Sequence, residues 1–193
     1  MRSFRDHYLA SSQGRKLVIA DLGSYDVNGS YRSLFTQESW RYLGLDVSPG
    51  PNVDIVLSDP YRWRELATDA IDVLISGQAF EHIEYFWLTG LEISRVLKPG
   101  GLCCLIAPSN GPEHRFPVDC WRFYEDGLRA LAAYAGLEVV EAATFREAAG
   151  WRDDSGLWQD SWLVARPPGK GWGRRCKEFL YRRCGLLTGP RQV

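Results

Sequence analysis

Leu17-Val18-Ile19-Ala20-Asp21-Leu22-Gly23-Ser24-Tyr25-Asp26-Val27-Asn28-Gly29-Ser30 decides the fold. The first four residues are apolar without alternation, which is the pattern of a strand covered on both faces. The run ends in Asp21-Leu22-Gly23, an acid and a turn residue where a strand should stop. Open α/β sheets bind their ligands beyond the carboxyl ends of the strands. Gly23 can turn tightly there and let a ligand approach the backbone. Gly29 and Ser30 are expected to open the next helix, whose free amides favour a negative group. An ordinary glycine turn reads the same way, because short glycine motifs are weak signals.

Continuous apolar runs recur at Tyr42–Val47, Val53–Leu57, Ile71–Ile75 and Leu102–Ala107, and Leu137–Phe145 and Trp162–Ala165 read as two further strands. Helical patterns lie between them. Ile83, Trp87, Gly90, Ser94 and Leu97 repeat at three-and-four spacing, with Gly90 and Ser94 small enough for close packing on a sheet. Lys98-Pro99-Gly100-Gly101 should end that helix, with a cation, a proline and a turn residue in succession. Leu128, Leu131, Ala132 and Ala135 form another stripe, stopped by Gly136. Strands alternating with helices predict an α/β fold, a doubly wound and mostly parallel sheet with helices on both faces.

The 193 residues suit one domain with a short appendage. A chain of this size buries about 70% of its unfolded surface and needs no staples. Hydrophobic residues at 45% and charged residues at 24% exclude a disordered, collagenous or coiled-coil chain. No apolar run approaches the length of a membrane span and no cationic start leads into an apolar signal segment, so a cytoplasmic protein is expected. Five cysteines without a Cys-x-x-Cys pair argue against a disulfide framework and a zinc site. Arg166-Pro167-Pro168-Gly169 reads as a linker dividing a body, residues 1–168, from a basic tail, residues 169–193. The tail carries a net charge of +6 and the body −7. A globally basic nucleic-acid binder is not built this way, and no nucleic-acid partner is expected.

Leu45-Asp46-Val47 places an acid at the end of the second strand, 23 positions after Gly23. A carboxylate about 20 residues past a glycine loop can accept from both hydroxyls of an adenosine ribose. The loop is not Gly-x-Gly-x-x-Gly: Tyr25 and Asp26 fill the space of a pyrophosphate, and Asp26 repels it. A nucleoside cofactor without phosphates fits better.

Taken together, Val18–Ser30, Asp46, Ser58-Asp59-Pro60, Gln78-Ala79-Phe80-Glu81-His82 and Arg95-Val96-Leu97-Lys98-Pro99-Gly100-Gly101 resemble the class I S-adenosylmethionine-dependent methyltransferases. The likeness covers about residues 15–167. Tyr25 and Val27 depart from the glycines of the family's commoner first motif. Asp-Val-Asn-Gly-Ser and Pro-Glu-His-Arg-Phe-Pro-Val-Asp-Cys-Trp-Arg-Phe-Tyr resemble a subgroup associated with sugar, polysaccharide and natural-product pathways. The resemblance implies a Rossmann-like seven-stranded sheet whose last strand lies antiparallel beside the fifth. It implies S-adenosyl-L-methionine as cofactor. Asp21, Gly23, Ser24 and Gly29 would hold the methionyl end at the turn, and Asp46 with Val47 the ribose. Asp59 with Pro60 would meet the adenine, and Gly77 and Gln78 would line the methionine end with backbone carbonyls. Phe80 would cover the sulfonium or sit in the core.

Methyl transfer needs alignment, and a base if the acceptor is a hydroxyl. His114 and His82 are the candidate bases, both at the carboxyl edge; His82 equally reads as a residue that caps a helix or orients a loop. Residues 108–124 make a long connection rich in aromatic and hydrogen-bonding groups. Arg115, Asp119, Trp121, Arg122 and Tyr124 are candidates to bind an acceptor, with an Asp119–Arg122 structural pair as the alternative. Glu81 stands alone as a carboxylate after the fourth strand, so no metal is expected. Trp172, Cys176, Phe179 and Leu180 line one face of a basic helical pattern in the tail. It suits an anionic membrane surface, the acidic body or a second subunit. The expected activity is O-methylation of a sugar or related small metabolite, which includes a lipid-linked glycan. The alternatives are N-methylation of an amino sugar and a cofactor-binding subunit without its own catalysis.

Overall fold

The computed structural model describes residues 1–145 and 155–169. Seven strands form one sheet: β1 (Leu17–Leu22), β2 (Trp40–Asp46), β3 (Ile55–Val56), β4 (Ile71–Gly77), β5 (Leu97–Pro108), β6 (Glu138–Thr144) and β7 (Asp160–Arg166). Their order is β3-β2-β1-β4-β5-β7-β6. Strands β1 to β5 run parallel, and β7 lies antiparallel between β5 and β6. The chain builds outward from β1 and then returns to lay β4 on its other side. That reversal opens a crevice above the carboxyl ends of β1 and β4.

Each face of the sheet has its own core. Helices α2 (Phe86–Val96) and α3 (Glu125–Tyr134) cover one face, where Ile93, Val96, Leu128 and Leu131 pack on Ala20, Leu74 and Leu105. Helix α1 (Arg2–Tyr8) lies over the other, where Phe4 joins Ile19, Val73, Ile75, Cys104 and Val164. Gly90 lies against Leu131 and Ala135, so the small residue in α2 admits α3 rather than the sheet alone. Within α2, Arg95 is buried with Glu92 and also donates to the carbonyls of Leu66 and Trp63, at 2.8 and 2.7 Å. It thereby ties the β3–β4 connection to the helix.

Three expectations change in detail. No long helix follows β1: Ser30 caps a single 3-10 turn, Tyr31–Leu34, and its hydroxyl accepts from the Arg32 amide at 3.1 Å. Gly29, at φ +127°, belongs to the loop, with its amide on the Asp26 carboxylate. The free helix amides expected at Gly29 and Ser30 are therefore absent. β3 contracts to two residues, a short edge strand of the kind that resists pairing with other chains. Lys98 does not cap α2; it crosses to Asp72 on β4 at 2.6 Å as β5 begins. A fourth helix, Ser155–Trp158, precedes β7. The basic tail beyond residue 169, with its amphipathic pattern, lies outside the described residues.

Candidate functional site

Asp21 lies in the buried end of β1, two residues before the turn at Gly23. It is 3% exposed and accepts a hydrogen bond from the Tyr42 hydroxyl. Burial pushes its carboxyl up to about 7, and the Tyr42 bond only partly offsets this. Gly23 has φ +77°, and a Cβ there would collide with Ala79. Only glycine allows both the turn and the close passage of the β4–α2 loop. The amides of Gly23 and Ser24 bond the Leu45 carbonyl at 2.9 and 3.1 Å, which seats the turn on β2. Ser24 is buried and its hydroxyl donates to Asn52.

Asp46 stands half-buried at the end of β2. Its two oxygens accept from the amides of Tyr25 and Ser48, at 3.1 and 3.0 Å. A carboxylate oxygen has two lone pairs, so each keeps acceptor capacity. Val47 beside it is exposed. Asp59 closes its own turn on the Tyr61 amide at 2.8 Å, and the Pro60 carbonyl accepts from the Trp63 indole at 3.0 Å. Gly77 ends β4 with the Tyr31 ring standing where a side chain would be. Gln78 adopts φ +59° and donates to Asp160 at 2.8 Å. These positions form one rim along the ends of β1, β2 and β4.

The donor set suits an S-adenosyl nucleoside. A buried acid at the turn matches an ammonium and a strand-end acid matches ribose hydroxyls, while the glycines at 23 and 77 make room for Ala79 and the Tyr31 ring. Sequence reasoning missed Tyr31, Tyr42 and Asp160. The Tyr31 hydroxyl is pushed up to about 12, first by burial and then by the charges of Asp21, Asp160 and Glu81. Only the fold joins these groups, and no local spacing announces them.

The other wall begins at Glu81. It is fully buried, and neither carboxylate oxygen has a hydrogen-bond partner. Burial pushes its carboxyl up to about 7. His82 turns Nδ1 to the Val118 carbonyl at 2.6 Å, so that nitrogen carries the proton and Nε2 faces Glu81 at 3.7 Å. Burial lowers the pKa of His82. His114 stacks edge-on against His82 with ring centroids 4.8 Å apart. Its Nε2 lies 4.0 Å from Glu81, and its Nδ1 lies 3.4 Å from Asp119. Phe80 is fully buried against Phe123, so it is a core residue and not a cover for a ligand.

The loop from β5 to α3 is pinned rather than free. Cys120 and Trp121 donate their amides to the Glu81 carbonyl at 2.7 and 3.2 Å. The Trp121 indole reaches the Ile83 and Glu84 carbonyls. Arg122 grips both oxygens of Asp119, at 2.6 and 2.8 Å. That guanidinium, with the His114 amide, holds the Asp119 carboxyl well below the usual range. The Asp119–Arg122 pair is thus structural, and it orients His114. Arg115 is exposed and pairs with Glu113, and Tyr124, also exposed, precedes α3.

Residues 21–105 match the family model described as a methyltransferase domain. An uncharacterized methyltransferase of Mycolicibacterium paratuberculosis is 30% identical over 140 residues, which is 65% of this chain and 51% of the relative. One from Mycobacterium ulcerans is 29% identical over 84% of this chain and 73% of its own length. The chain spans about half the length of several curated relatives it matches. Among solved structures, a Burkholderia thailandensis 1,6-didemethyltoxoflavin-N1-methyltransferase, with its substrate and S-adenosylhomocysteine bound, superposes with TM-score 0.64 at 18% identity. That match covers 86% of this chain and 77% of the other. An Archaeoglobus fulgidus SAM-dependent methyltransferase gives 0.62 at 15% identity, over 86% and 92%. Residues 21–105 are thus similar to a methyltransferase domain, and the sheet has the fold of these solved methyltransferases.

Proposed function

We propose that the chain transfers the methyl group of S-adenosyl-L-methionine to a hydroxyl of a sugar or related small metabolite. The observation that carries this reading is the pairing of two unlike walls at one sheet edge. Asp21, Gly23, Ser24, Asp46, Val47, Asp59, Pro60, Gly77 and Gln78 would hold the cofactor, with Gly29 in the loop above. The cofactor would supply a methyl carbon already activated by a sulfonium. Against it stand the imidazoles of His82 and His114, where an oxygen acceptor would shed its proton. Exposed Phe116, Trp121 and Tyr124 offer flat apolar faces on the same segment as Arg115, a mixture that suits sugars.

The protein supplies orientation and a dry boundary more than bond-making groups. The test incubates the chain with methyl-labelled cofactor and a panel of sugars and nucleotide sugars, read by mass spectrometry. A labelled ether supports the reading. Label found only on amines would favour an amino-sugar N-methyltransferase. Cofactor binding without any transfer would favour a cofactor-binding subunit. His114→Ala should lower turnover by about 10²–10⁴ while leaving cofactor affinity unchanged.

A further inference from the structure

We propose that Glu81, His82 and His114 hold one divalent transition-metal ion. One donor atom from each lies within 4.8 Å of the other two. Ligand atoms about 2.0–2.2 Å from a zinc ion stand about 3.3–3.5 Å apart in a tetrahedron. The donors thus have less than about 1.5 Å to close.

The second observation is Glu81 itself. A fully buried carboxylate with both oxygens unpartnered is costly, and the imidazoles at 3.7 and 4.0 Å are too distant to hydrogen-bond it. A cation between the three satisfies it. His82 is also dressed as a ligand. His82 gives its Nδ1 proton to the Val118 carbonyl, which leaves the Nε2 lone pair facing Glu81. His114 turns Nε2 inward, and its Nδ1 lies 3.4 Å from Asp119 without a hydrogen bond. Arg122 stands nearby, but its charge is already paired with Asp119.

Two imidazoles and one carboxylate suit zinc, iron(II) or manganese(II) rather than magnesium or calcium. Three protein ligands leave a position open, as in catalytic zinc sites. The His114 side chain is 37% exposed, so one edge of the cluster is open to solvent. With the imidazole lone pairs taken by the ion, an acceptor hydroxyl bound there would be oriented and made more acidic by the ion, and its proton would pass to water in place of His82 or His114. That last role rests on the proposed function; the ion site does not.

The experiment uses the untagged full chain, stripped with a chelator and titrated calorimetrically with Zn²⁺, with Mg²⁺ beside it. One Zn²⁺ per chain is expected, with Mg²⁺ far weaker. His114→Ala, on a surface loop, and the near-isosteric Glu81→Gln should each weaken Zn²⁺ binding by at least about 10–100-fold. Zn²⁺ should raise the melting temperature of the wild type but not of a folded His114→Ala chain. Zn²⁺ binding no tighter to the wild type than to a folded His82→Ala, His114→Ala chain overturns the site. If zinc binds and no hydroxyl is methylated, the hydroxyl acceptor falls and the site stands. If the stripped chain binds no zinc yet methylates hydroxyls, the site falls and methyl transfer stands.

Discussion

Asp21 shows what burial does to one acid. Its carboxyl sits at about 7 against 3.8 for the free side chain. The folded chain therefore holds a proton there that the unfolded chain gives up above about pH 4. The stability tied to this proton is full below that pH and is lost as pH rises through about 7. Without cofactor, Asp21→Asn should flatten the fall in melting temperature between pH 5 and pH 8, read by scanning calorimetry against the wild type. A bound ammonium favours the ionised acid, so cofactor binding should release protons near pH 6.5. Calorimetry in buffers of different ionisation enthalpy measures that release, and its absence separates Asp21 from the ammonium. Asp46 makes a simpler case, because its lone pairs remain partly free. Asp46→Ala should weaken adenosyl binding by about 1.5–3 kcal/mol. Unchanged affinity in that variant removes Asp46 from the site.

At the scale of elements, α2 is held by more than its apolar stripe. Arg95 bonds Glu92 within the helix and two carbonyls of the preceding connection. Arg95→Met removes all of these and leaves a buried carboxylate beside a thioether. It should cost about 3–5 kcal/mol in a urea titration. The β5–α3 loop is fixed by the Asp119–Arg122 fork. Asp119→Ala should raise the acceptor's Michaelis constant and speed proteolysis of the loop, with cofactor affinity unchanged. The strands were legible because continuous apolar runs at Leu17, Ile71 and Leu102 have few other uses. The single turn after β1 was not, since Gly29 and Ser30 read equally well as a helix start. The Glu81–His82–His114 cluster was half legible. Both histidines stood at the carboxyl edge, but they are 32 positions apart, and only the loop's bonds to Glu81 and His82 bring the rings together.

The described residues form one sheet with two separate cores, and β7 is the last strand among them. A chain ending at Pro168 should keep its melting temperature and its cofactor affinity. Loss of either would show that the basic tail packs on the body. No helix among the described residues is long and apolar enough to cross a membrane. The centre of the sheet carries one further consequence. Cys103 and Cys104 are neighbours on β5, yet strand alternation sends the first into the α2–α3 core and the second into the α1 core. Burial pushes both thiols up to about 12, so neither reacts while its side is closed. Each is a silent reporter wired to a different half of the interior. Chains keeping one thiol at a time, pulsed with a maleimide in rising urea, would tell whether the two layers part together or one after the other.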